Sequence, residues 1–230
     1  MDLKDFYNLH SGQTCLIVGV GDNLRLTPPE WFGYPSFGVN TIYKYEGWEP
    51  TYFVGVDERL RLEDGAAIVE KYADIPKFFP RPDWDELQGE NIYRFAHRTG
   101  GELSIGGQSA RDPDALTRKG LNYRRIMDAV LQIAWHMGFT TMLMIGIQHK
   151  PGERRAHFWG QDMTQPADDF RFEESGYAHF VRGMGGVRVL NISEDTYVHE
   201  DALPRGDWQD WVNRQTYTKA PEYSAATVTG

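Results

Sequence analysis

The apolar residues fall into short continuous runs, and most of these runs stop at a glycine or a polar side chain. Residues 14–19 carry Cys15, Leu16, Ile17 and Val18 and stop at Gly19. Similar runs occupy 36–40, 51–56, 141–147 and 187–191, with shorter ones at 76–80 and 91–96. Runs of this length between turn residues predict buried strands. A different spacing marks 121–137, where Ile126, Val130, Ile133, Ala134 and Met137 recur at helical intervals before Gly138, which predicts a helix with a glycine stop. Weaker helical patterns cover 63–72 and 172–184, and 41–45 predicts a short helix. Segments 97–118 and 150–169 are polar and in part glycine-rich. Loops of that length in a compact domain usually serve function, and they are expected to act as lids.

Strand and helix patterns alternate, which predicts an α/β, Rossmann-like fold with a mostly parallel sheet and helices on both faces. One domain is expected over 1–217, followed by a small, polar tail at 218–230 that frays. In such folds, ligands bind outside the carboxyl ends of the strands. The candidate site therefore comprises the turn Gly19-Val20-Gly21-Asp22-Asn23, then Asn40, Asp57 to Arg59, and Gln148 with His149. Glycines at such a turn let a phosphate or sugar approach the main chain; without a ligand, the same turn is simply tight.

The residue types suggest specific roles. Gly19, Gly21, Asp22, Asn23, Asn40, Gln148 and His149 are candidates for holding a nucleotide. Asn40 would bond a ribose or base, or else its own backbone. Asp57 would bind a hydroxyl or a metal or act as a base, or else cap the following helix or pair with Arg59. His157, beside Phe158 and Trp159 in the second lid loop, suits general acid/base work near neutral pH. Lys150, Arg154 and Arg155 would bind phosphate oxygens or form a solvated loop face.

The net charge of −9 argues against a nucleic-acid-binding module. The single cysteine, Cys15, precludes an internal disulfide, and with no leader pattern or membrane-length apolar run the expectation is a cytoplasmic protein. No closely spaced Cys/His set, phosphate loop of the GxxxxGK(S/T) type or GxSxG elbow occurs. No metal ligands are assigned. The Asp-x-Asp triplets at 83–85 and 112–114 follow no clear strand.

Three stretches carry a resemblance: Gly19-Val20-Gly21-Asp22-Asn23-Leu24, Phe37-Gly38-Val39-Asn40-Thr41-Ile42-Tyr43, and the strand from Pro50 to Asp57. With His157-Phe158 and the Asn191 strand, they resemble the bacterial and phage family related to archaeal 6-hydroxymethylpterin diphosphokinase, a domain of unknown function. That family is similar to the family-42 bacterial sialyltransferases. The likeness spans about residues 12–195 and is most specific over 37–57. It implies a nucleotide-dependent transferase, most concretely a glycosyltransferase using a nucleotide-activated sugar, with Asn40 and Asp57 at the nucleotide; His157 would take over the role of base. The alternatives are a pyrophosphokinase-like enzyme requiring Mg²⁺, or a non-catalytic binding protein of phage or prophage origin. Val20 stands where the sialyltransferases have Asn, Gln148 where an acid is usual, and Gln161 where their basic His stands.

Overall fold

The computed structural model describes residues 3–97, 120–121, 123–149, 154–159, 162–164 and 167–212. The expected lid 97–118 therefore lies almost wholly outside the described residues, as do Lys150, Gln161 and the tail. The chain builds a seven-stranded sheet from β1 (Thr14–Val18), β2 (Ser36–Val39), β3 (Tyr52–Val54), β4 (Lys77–Arg81), β5 (Ile92–Ala96), β6 (Thr141–Ile145) and β9 (Arg188–Asn191). The strand order is β5-β4-β3-β2-β1-β6-β9, and each neighbouring pair is parallel. This is the α/β, Rossmann-like architecture that the alternating pattern predicts.

Burial on both faces explains the continuous apolar runs. Cys15, Ile17, Phe37, Val39, Tyr52 and Met144 point to one face, packed against α2 (Ile126–His136) and α3 (Ala167–Gly183). Leu16, Val18, Phe53, Leu143 and Ile145 point to the other, under α1 (Glu58–Lys71) and the short 3-10 turns that follow β1 and β2. Among the described residues, no helix is long and apolar enough to cross a membrane.

Three boundaries differ from the pattern. The first helix starts at Glu58 rather than 63, because Asp57 caps it: its Oδ1 accepts from the Arg59 amide at 2.9 Å. The best helical pattern starts late, at Ile126. Asp128 reaches back to the amides of Arg124 and Arg125 at 3.0 and 3.2 Å, which fixes the helix start there. Upstream, Leu121 instead bridges to His97 beyond the end of β5. The segment 150–169 is not one continuous loop. It contains an antiparallel hairpin, β7 (Arg154–Ala156) with β8 (Asp162–Thr164), and the first turn of α3.

Lys77 at the start of β4 is fully buried, and its ammonium donates to the carbonyls of Tyr72 and Ile75 at 2.6 and 2.9 Å. It closes the carboxyl end of α1, where helix carbonyls have no internal partner.

Candidate functional site

The chain leaves β1 toward β2 on one side, while β6 lies on the other. Connections diverge at this point, which opens a crevice at the carboxyl edge of the sheet. The floor of the crevice is held by backbone. The Gly19 amide donates to the Ile145 carbonyl at 2.8 Å, and the Gly21 amide to the Gly146 carbonyl at 2.9 Å. A Cβ on Gly19 or on Gly21 would sit 2.7 Å from the Gly146 oxygen. Gly21 has φ −64°, which any residue adopts. Its glycine thus answers to close approach of the β6 turn, not to an unusual backbone. Gly146, at φ +69°, needs glycine for both reasons.

Above this floor lies a cavity of about 690 Å³, within the range of small-molecule sites. Of the residues singled out in the sequence, Gly21, Asn40, Asp57, Gln148, His149 and His157 line it. Asn40 sits at the end of β2 with φ +45°, and its Oδ1 accepts from the Val56 amide at 3.3 Å. The side chain thereby ties the β2 and β3 ends together rather than bonding its own turn. Asp57 caps α1, and Arg59 pairs with Glu63 at 2.8 Å. The helix cap is thus the structural role Asp57 takes, while its carboxylate remains exposed on the cavity wall.

His157 arrives from outside the sheet. It forms an antiparallel bridge with Gly21, its Nδ1 lies 3.3 Å from the Val20 carbonyl oxygen, and its ring stacks on Trp159 at 4.3 Å. A proton on Nδ1, donated to that carbonyl, leaves Nε2 as the basic nitrogen. His149 follows β6 with φ +48°, and its Nε2 meets the Tyr177 hydroxyl at 2.8 Å. Two non-glycine residues in the left-handed region thus stand on one cavity, at Asn40 and His149. Backbone strain of this kind concentrates at functional sites. Gln148 donates to Asp195 at 2.9 Å.

Gly19, Asp22 and Asn23 do not line the cavity. Asp22 pairs with Arg25. Asn23 is buried and donates to the Glu194 carbonyl at 2.7 Å, while Thr27 accepts from the Glu194 amide at 3.3 Å. Together they clamp the segment after β9. The Asp83 to Asp85 triplet also lies elsewhere: Trp84 is buried on Phe79, and Asp85 pairs with Arg94 at 3.2 Å.

The structure adds cavity residues that the pattern did not flag. Lys44 pairs with Asp64 at 3.6 Å and lies 5.7 Å from the Trp159 ring centre. Tyr123 and Asp128 enter from the start of α2, and Tyr177 from α3. Asp128 is only 4% exposed, and burial raises its carboxyl above the ordinary value despite the two backbone donors. The signal for it was an acid three residues into an apolar helix, the spacing of an N-terminal cap. Among the described residues, no group of three His, Cys, Asp or Glu side chains is gathered to hold a metal ion. No known family model matches the chain, and no curated protein sequence matches it.

Proposed function

We propose that this chain is a nucleotide-dependent transferase, most concretely a glycosyltransferase that uses a nucleotide-activated sugar. The observation that carries the reading is the convergence of Gly21, Asn40, Asp57 and Gln148 with His157 on one cavity at the topological switch point. In this reading the nucleotide lies across the ends of β1, β2 and β6. Lys44 and Arg59 face the phosphates, and Nε2 of His157 takes the proton from the acceptor hydroxyl as its oxygen bonds the sugar's anomeric carbon and the sugar–phosphate bond breaks, the nucleotide leaving with the electron pair. The pair His157–Trp159 covers the Gly21 turn, so the hairpin that carries both residues acts as the lid that keeps water from the donor. A cytoplasmic location accords with the single buried thiol.

The proposed family likeness to the 6-hydroxymethylpterin diphosphokinase relatives rests on the same strand ends. The Mg²⁺-dependent alternative draws less support: of its two candidate ligands, Asp57 reaches the cavity, whereas Asp22 pairs with Arg25 outside it. A thermal-shift screen against nucleotides and nucleotide-sugars tests the reading. Stabilisation by a nucleotide-sugar, followed by release of free nucleotide on incubation with acceptor, is the expected result. A flat response to every nucleotide and nucleotide-sugar contradicts it.

A further inference from the structure

We propose that Asp128 is the base-recognising residue of the cavity and selects nucleotides whose base carries an exocyclic amino group, as adenine and cytosine do. This inference rests on the nucleotide reading above and adds to it the base class.

The carboxylate is split between two tasks. Oδ2 accepts from the amides of Arg124 and Arg125 at 3.0 and 3.2 Å and starts α2. Oδ1 accepts no hydrogen bond among the described residues. It lies 3.5 Å from the point where a Cβ on Gly176 would sit, and Asp128 and Gly176 both line the cavity. Because residue 176 has no side chain, the oxygen stays open to the cavity in a residue that is otherwise 4% exposed. An acceptor that faces the cavity without a protein donor is available to a ligand N–H, and hydrogen bonds to charged groups are among the stronger ones.

The surroundings indicate a base rather than a phosphate or ribose. Tyr123, Ile126, Met127, Ile147 and Tyr177 line the cavity on the β6, α2 and α3 side. Apolar and aromatic surfaces suit the faces of a planar heterocycle. Lys44 and Arg59 lie on the β2 and β3 side, beyond β1, while Arg124 and Arg125 line the cavity beside Asp128. A nucleotide laid along the carboxyl edge with its phosphates at Lys44 and Arg59 puts its base at Asp128. A carboxylate oxygen accepts only, so it favours an amino group there and disfavours a carbonyl oxygen.

Two substitutions separate recognition from capping. In Asp128→Asn the amide oxygen can keep the Arg124 and Arg125 donors, and the NH₂ then takes the place of Oδ1, turning an acceptor into a donor. Gly176→Ala leaves the carboxylate intact and covers Oδ1 with a methyl at ordinary contact distance; alanine also favours the helix. The probes are AMP against purine riboside monophosphate, which lacks only the amino group, and CMP against its 4-deamino analogue, titrated calorimetrically into the full chain. The wild type should bind one amino-bearing member at least about tenfold tighter than its deamino partner, the worth of a hydrogen bond to a charged group. Asp128→Asn should abolish that ratio and improve the affinity for IMP, and Gly176→Ala should reduce the ratio with unchanged melting temperature. A ratio near one in the wild type, or one that survives in Asp128→Asn, overturns the inference and leaves the nucleotide reading standing. Loss of affinity on removal of the ribose 2′-hydroxyl but not of the amino group overturns it in favour of ribose recognition. No binding of any nucleotide overturns both.

Discussion

The Gly21 amide and the Gly146 carbonyl meet at 2.9 Å beyond the last paired residues of β1 and β6. This contact keeps the two strand ends together where their connections part, and it sets the floor on which a ligand would lie. A side chain at position 21 must therefore push the β6 turn away. Gly21→Ala places a Cβ 2.7 Å from both the Gly146 oxygen and Asn23 Oδ1. Overpacking of this kind costs about 1–3 kcal/mol, measurable by urea denaturation, and ligand affinity should fall with it.

Asn40→Asp separates structure from binding. The carboxylate still accepts from the Val56 amide, and Asp tolerates the left-handed backbone almost as well as Asn. The variant should keep its folding stability within about 0.5 kcal/mol. It loses the amide donor on the cavity and adds a negative charge near the bound phosphates. Nucleotide affinity should drop by about tenfold or more in a calorimetric titration, as for a lost charge-sensitive hydrogen bond.

His157→Gln tests the base. Turnover should fall by about 10²–10⁴, the usual contribution of a positioned general base, while the nucleotide Kd changes little. Trp159→Ala removes the ring stacked 4.3 Å from the imidazole. It should lower turnover less than His157→Gln, because the histidine stays in place by its contact with the Val20 carbonyl. Steady-state kinetics on both variants gives the comparison.

Lys77 offers a test of the fold that does not involve the site. Lys77→Met leaves the Tyr72 and Ile75 carbonyls without their donor and should destabilise the chain by about 1–3 kcal/mol. Burial lowers the Lys77 ammonium to about 8, below the usual 10.5. Between those values the unfolded chain binds more protons than the folded one, so this group adds stability as pH rises through that window and removes it as pH falls. The stability difference between wild type and Lys77→Met should therefore widen in favour of the wild type from pH 8 to 10. Denaturation at several pH values reads it directly.

The sheet was legible because a parallel strand buried on both faces must be apolar throughout, as Leu16, Ile17 and Val18 are. The same property marks the strand ends, which puts Asn40, Asp57 and Gln148 on one edge. Other features depended on contacts between distant segments. Lys77 reads as a surface charge, yet it is buried because the Tyr72 and Ile75 carbonyls, just past the end of α1, take it up. Asn23 reads as part of a ligand turn, yet its partner is the Glu194 backbone, 171 residues away. Periodicity cannot indicate that Asp128 faces a cavity, since α2 is buried nearly all round and Gln132 and His136 are buried with it. The hairpin at 154–164 lacks apolar alternation and therefore gave no strand signal.

The most direct test of the central claim is a crystal structure of the chain soaked with a nucleotide. The account predicts density across the carboxyl ends of β1, β2 and β6, in contact with Gly21 and Asn40 and beneath His157. Density at another surface, or an empty cavity in crystals held at saturating nucleotide, would contradict it.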